Sequence, residues 1–203
     1  MDQPVLPVGA PRAERADAAR NRAHLLATAR QMLAERGPDT LTMDGLAERA
    51  GLGKGTVFRR FGTRAGIFQA LLDDAERAFQ AQVLAGPPPL GPGAAPLDRL
   101  IAYGRARAGF LLENRQIARA ALDGSQPAPA GPTPMSQPHI RMLLRQIPLG
   151  AADLDILAVQ LTAALDGPLL LYLSASDLTE AALRVEERIA QGWQDLVQRV
   201  CQP

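Results

Sequence analysis

Residues 41–64, LTMDGLAERAGLGKGTVFRRFGTR, constrain this 203-residue chain more than any other stretch. Met43, Leu46, Ala47, Leu52, Val57 and Phe61 fall at spacings that place two short helices around one small core. Between the helices stands Ala50-Gly51-Leu52-Gly53, where glycine supplies the positive φ that a sharp helix-to-helix corner needs. Thr42 precedes the first helix and its hydroxyl can accept from a free amide of the first turn. Closing that core leaves Lys54, Gly55, Thr56, Arg59 and Arg60 outside. A short helix with an outward face of cations and a hydroxyl fits a DNA major groove, where cations meet phosphates or guanine edges.

The net charge of +1 conceals an uneven division. Residues 20–64 hold nine Lys/Arg against Glu35, Asp39, Asp44 and Glu48, whereas residues 65–203 hold eleven arginines against fourteen acidic residues. A basic first third on a mildly acidic remainder implies a polyanionic partner for that third. Lys54 is the only lysine. A GC-rich codon bias accounts for the abundance of arginine but not for its concentration in one region.

Aromatic residues make up 4% of the chain, so the core is built from Ala, Leu, Ile and Val, a composition that favours helices. No stretch alternates as a strand does. Cys201 is the only cysteine, which excludes an intramolecular disulfide. The two histidines, His24 and His139, lie far apart in sequence, and neither has a nearby partner for a metal. The N-terminus lacks a signal-peptide pattern and no apolar run reaches membrane-spanning length. The expectation is a cytoplasmic protein with no membrane partner, metal or cofactor.

Residues 1–19, with Pro4, Pro7 and Pro11, read as a disordered arm whose last part runs into the first helix. A helix is expected over 21–36, ended by Gly37-Pro38. Another starts at Thr63 or Arg64, carries Ile67, Phe68, Leu71, Leu72 and Phe79, and ends before Gly86-Pro87. Only Gly62 and Thr63 separate it from the outward-facing helix, so its movement should tilt the reading unit. Further helices are expected at 97–113, 115–122, 136–147, 151–174 and 178–200. Gly167-Pro168 predicts a kink, and Asp177 to Glu180 has the spacing of a capping box. The last two helices carry more apolar residues than one core face needs, among them Leu161, Leu165, Leu169, Val185, Ile189, Trp193 and Leu196. Such surplus marks either the core of a larger bundle or an interface.

The pattern Thr42-Met43-x-x-Leu46-Ala47-x-x-Ala50-Gly51-Leu52-Gly53-Lys54-Gly55-Thr56-Val57-Phe58-Arg59-Arg60-Phe61-x-x-Arg64 resembles the helix-turn-helix signature of TetR-type transcriptional regulators, over about 21–68. Three residues depart from it. Phe58 stands where the family usually has tyrosine and lacks a phosphate-donating hydroxyl. Arg60 puts a permanent cation in place of histidine. Gly53, often serine in the family, is the weaker cap.

The resemblance implies an all-α architecture: a three-helix helix-turn-helix DNA-binding domain at 20–66, then a helical-bundle ligand-binding and dimerisation domain at 67–203. It implies base or groove contacts from Lys54, Thr56 and Arg59, backbone contacts from Thr42, Phe58 and Arg60, and Gly55 and Arg64 as further DNA-binding residues. It implies a homodimer formed by the last two helices, through Leu161, Leu165, Leu169, Val185, Ile189, Leu196 and Trp193, on a palindromic double-stranded DNA operator. It also implies a small-molecule effector among the intervening helices. Phe79, Tyr103, Arg107 and Phe110 are candidate lining residues there. So are Met135, His139 and Met142, and Leu169 and Tyr172. Tyr103, Arg107 and His139 stand out, because polar groups on partly apolar helices often face a cavity. Ordinary helix packing competes for every one of these residues.

The function expected is therefore a ligand-responsive transcriptional regulator, a repressor released by a small molecule. A helical adaptor with a basic face would explain the bundle but not the turn at 51–56. An enzyme would need a nucleophile with its base, paired carboxylates or a metal cluster. Two distant histidines and one near-terminal cysteine supply none of these.

Overall fold

Every regular element among the described residues is helical, as the resemblance implies. The structure is a computed structural model that describes residues 12–122, 135–173 and 181–201, with side chains described over 16–121, 135–167 and 186–201. The chain divides into two compact units, Met1–Leu71 and Leu72–Pro203.

The first unit holds α1 (Arg12–Arg36), a 3-10 turn (Pro38–Thr40), α2 (Met43–Arg49), α3 (Lys54–Phe61) and the start of α4 (Arg64–Ala85). Helix α1 begins at Arg12, inside the stretch expected to be a disordered arm. Ala13, Ala16, Ala18 and Ala19 are strong helix formers, and Asp17 pairs with Arg20 one turn on. Leu25, Leu26 and Ala29 of α1 bury against Leu41, Leu46, Ala47, Val57, Ile67 and Phe68, which make up the small core.

The second unit contains the rest of α4, then α5 (Pro96–Glu113), α6 (Arg115–Leu122), α7 (Ser136–Leu144), α8 (Leu154–Leu173) and α9 (Ala181–Cys201). Helix α5 is central and packs against α7, α8 and α9. Gly104 is what lets α5 and α9 approach: a Cβ there would stand 2.0 Å from the Trp193 indole. That indole is buried and donates its Nε1–H to the Leu100 carbonyl at 3.1 Å. Helix α7 stops at Leu144, short of 147. The amides of Gln146 and Ile147 turn back to the carbonyls three residues earlier, and Ile147 precedes Pro148, which disfavours the α conformation. Helix α8 starts at Leu154, because the Asp153 carboxylate caps it, accepting from the amides of Asp155 and Ile156 at 3.1 Å each. It continues through Gly167-Pro168 to Leu173. The capping box at 177–180 lies outside the described residues.

The surplus apolar residues sort differently from expectation. Leu161, Leu165 and Trp193 were expected at an interface, but they lie in the core of their own chain, sharing it with Phe79, Tyr103 and Ile140. Periodicity marks them as buried without saying by what. Leu196 stays exposed and Ile189 half-buried, while Ile156 and Val159 of α8 are also exposed. The side chains of Leu169, Tyr172 and Val185 fall outside the described residues. No helix among the described residues is long and apolar enough to cross a membrane.

Candidate functional site

The helix-turn-helix is set by a few local devices. Thr42 Oγ1 accepts the Gly45 amide at 3.0 Å and so caps α2. Gly45 suits that cap, since a Cβ there would lie 2.9 Å from the same oxygen. Gly51 takes φ 64° at the corner, and Gly62 takes φ 71° as it ends α3. Val57 is fully buried and fixes the rotation of α3. The opposite face is therefore turned out: Lys54, Gly55, Arg59 and Arg60 are exposed, Thr56 is half-buried, and Phe58 is 51% exposed.

These side chains are not equally free. Arg59 has no hydrogen-bond or ion-pair partner among the described residues; with Thr56 and Arg60 it edges a groove shared with Asp17 and Asn21 of α1. Lys54 Nζ lies 2.9 Å from an Asp44 carboxylate oxygen, but both are solvent-exposed. An exposed pair of this kind contributes little, so Lys54 can exchange it for phosphate. Arg60 donates to the Ala18 carbonyl at 3.0 Å. Arg64 is tied to its own unit. Its Nε donates to the Leu41 carbonyl at 2.8 Å, its Nη2 to that of Pro38 at 2.7 Å, and its guanidinium lies over the Phe68 ring. It pins the loop before α2 rather than standing free for phosphate.

Two contacts escaped the sequence reading. His24 Nε2–H donates to the Ala50 carbonyl at 3.1 Å, tying α1 to the corner. Arg49 grips Glu35 with two guanidinium nitrogens, and that hydrogen bonding holds the Glu35 carboxyl below its usual range. The partners are 26 and 14 residues apart, so no local pattern reveals them.

In the second unit, four of the expected lining residues form one row of rings with Arg107. Its guanidinium lies 4.9 Å from the Phe110 centroid and 5.5 Å from that of Phe79. Phe79 is 5.9 Å from Tyr103, whose ring is 4.7 Å from His139. Three further residues belong here that sequence reading missed. Glu76 accepts from Arg107 Nη1 at 2.6 Å, Ser136 Oγ accepts from the Tyr103 hydroxyl at 2.8 Å, and Asp166 adds a half-buried carboxyl. Glu76 had a legible signal: it interrupts the apolar stripe Leu72, Phe79, Val83 on α4, as Arg107 interrupts the stripe on α5. Met135 packs beside the core. Met142 faces outward, with its sulfur and carbonyl accepting from Gln146, so it does not line the cluster.

Burial pulls the His139 imidazole down from 6.5 to about 4, and the positive charge of Arg99 adds to this. The unfolded chain therefore takes up this proton first as pH falls. Stability contributed by neutral His139 should be full above about pH 6.5 and lost progressively towards pH 4, by roughly 3 kcal/mol. Asp166 works in the opposite sense, since burial raises its carboxyl and ionisation at rising pH costs stability. Unfolding curves of the wild type and His139→Phe across this range isolate the imidazole: the variant should lose most of the decline between pH 6.5 and 4.

No group of three or more His, Cys, Asp or Glu among the described residues is placed to hold a metal ion. Residues 25–71 match the family model described as bacterial regulatory proteins, tetR family. No curated protein matches the chain. Solved structures share its fold. A TetR-family transcriptional regulator from Pectobacterium atrosepticum is 22% identical, with 93% of this chain and 98% of that chain covered and a TM-score of 0.66. A regulator of the TetR/AcrR family from Thermobifida fusca is 18% identical over 87% and 97%, with a TM-score of 0.57. The complex of SmeT with triclosan is 18% identical over 89% and 90%, with a TM-score of 0.54. The helix-turn-helix region of this chain, residues 25–71, belongs to the tetR family of bacterial regulatory proteins.

Proposed function

We propose that the protein is a ligand-responsive transcriptional repressor that binds a palindromic operator as a homodimer and releases it when a small molecule occupies the second unit. The observation that carries this reading is the outward face of α3, where Arg59 stands exposed and without a partner beside Lys54, Thr56 and Phe58. A free guanidinium matches the two acceptors on the major-groove edge of guanine, and Lys54 with Thr56 can hold the flanking phosphates. Two-fold pairing sets two such helices about one DNA turn, roughly 34 Å, apart. Exposed Ile156 and Val159 on one face of α8, with Leu196 on α9, favour pairing through these helices. The buried polar row around Arg107, and the triclosan complex of a protein with the same fold, favour a small-molecule effector. In this reading the chain is a cytoplasmic binding protein and not an enzyme.

The test compares binding to the DNA upstream of the chain's own gene with binding to random DNA at moderate salt. A preference for a short palindrome is expected, with affinity falling steeply as salt rises. Arg59→Ala should cost about 1–3 kcal/mol of specific binding and relax the preference at one operator position. Equal wild-type affinity for both DNAs overturns the reading. An unchanged base preference in Arg59→Ala assigns base reading to another residue.

A further inference from the structure

Of the 22 Lys/Arg residues only Lys54 is a lysine, and it stands at the first position of α3, on the face proposed to meet DNA. The distinction is chemical. A guanidinium keeps its proton and its charge, whereas an amine can give up a proton and become a nucleophile. Among the exposed cations of that face, Lys54, Arg59 and Arg60, Lys54 alone carries a charge that acyl transfer can erase. Its surroundings leave it open to that step. The side chain is 69% exposed, and Asp44, its ion-pair partner at 2.9 Å, is 62% exposed. Glycines flank it, and a Cβ at Gly53 or Gly55 would meet nothing within 4 Å, so the chain on either side leaves the amine uncovered.

We propose that Lys54 is a charge switch, operated when an acyl phosphate acylates Nζ, which turns the Lys54–Asp44 pair from neutral to negative and releases the chain from DNA. The inference rests on the DNA-binding reading and names a regulation of that same face. Solvent takes one proton from the ammonium. The neutral amine then attacks the carbonyl carbon of the acyl phosphate: a C–N bond forms, the C–O bond to phosphate breaks, and phosphate leaves with the bonding pair. The nitrogen gives its second proton to solvent, and the product is an uncharged amide. DNA loses the cation that Lys54 offers to a phosphate. The Asp44 carboxylate, its ion pair gone, faces the same polyanion as a net negative charge. Val57, which fixes the rotation of α3, is fully buried on the opposite face, so the modification leaves the fold untouched.

The experiment treats the full chain with acetyl phosphate, locates the acetyl group by peptide mass spectrometry, and measures binding to the upstream DNA and to random DNA over a range of salt. Lys54 should take up the acetyl group. The acetylated chain should bind both DNAs about ten-fold or more weakly, with the salt slope reduced by about one. Lys54→Arg keeps the charge and cannot be acylated, so treatment should leave its binding where it was. That variant retains the α-amine and so accounts for any acetylation there. Asp44→Asn makes the acetylated pair neutral again and should bind about three-fold or more tightly than the acetylated wild type. Circular dichroism before and after treatment checks that the fold persists. An unreactive Lys54 overturns the proposal, as do unchanged DNA binding after acetylation, an equal loss in Lys54→Arg, and no gain from Asp44→Asn. If acetylation weakens binding but neither DNA is preferred, the switch stands and the repressor reading falls. If the palindrome is preferred and acetylation changes nothing, only this inference falls. Untreated protein that binds neither DNA removes both.

Discussion

Glu76→Ala is expected to destabilise the second unit by about 3–5 kcal/mol. The Glu76 carboxylate is what makes a guanidinium tolerable at the Arg107 position, where the side chain is 7% exposed and the pair closes at 2.6 Å. Removing it leaves a full positive charge in a low-dielectric site that water reaches poorly. The flanking rings of Phe79 and Phe110 soften that loss but do not replace an anion, since cation–π contacts contribute only about 0.5–2 kcal/mol. Urea unfolding followed by far-UV circular dichroism reads the effect. Glu76→Gln keeps an acceptor oxygen and should fall between the wild type and the alanine variant. Replacing both partners, as Glu76→Met with Arg107→Met, should recover most of the lost stability, because no charge is then left buried. A loss under about 1 kcal/mol for Glu76→Ala would mean that Arg107 stays hydrated when its partner is gone.

Gly104→Ala is the second large effect. The added methyl would stand 2.0 Å from Trp193 Cε2 and Nε1, so the indole, or α9 with it, must move. Moving the indole breaks its bond to the Leu100 carbonyl and opens the seam between α5 and α9. Overpacking of this severity lies at or beyond the upper end of the usual range, about 3 kcal/mol. Trp193 is the only tryptophan, so its fluorescence reports the displacement directly as a shift towards the red. Gly192→Ala on α9 is the control. A Cβ there meets nothing within 4 Å, and alanine favours a helix interior, so stability should hold or rise by up to about 1 kcal/mol. Trp193→Phe in the Gly104→Ala background should return part of the loss; if it does not, the clash is not with the indole.

The helix-turn-helix was legible because its determinants are local. The Thr42 cap, the corner glycine and the alternation of Val57 with outward cations all lie within a few residues of what they control. The bounds of α6 were legible for the same reason, with Asn114 and the Pro/Gly-rich sequence after Leu122 enclosing one short apolar stripe. The start of α1 was not: proline punctuation in residues 1–11 hid an alanine-rich stretch that is itself a good helix. Arg64 shows the other limit. An arginine at the edge of a basic segment gives no sign in the sequence that the fold brings the Pro38 and Leu41 carbonyls to it. Leu161, Leu165 and Trp193 lie in the core of their own chain, the alternative that their pattern left open, since a buried face reads alike whether its neighbour is in the same chain or another. Polarity set Tyr103, Arg107 and His139 apart in the sequence, and the fold brings them to one row of rings. Glu76, which gives Arg107 its meaning, could be placed only by the packing of α4 on α5.

The single lysine has a practical consequence. Its ε-amine stands exposed at the first position of α3, in an ion pair that solvent reaches freely. Reductive methylation with 13C-formaldehyde would therefore place one side-chain label on the whole molecule, at the surface expected to meet DNA. Its dimethylammonium resonance, told apart from that of a methylated α-amine by its higher pKa, would report free and bound protein, and exchange between them, with no residue replaced.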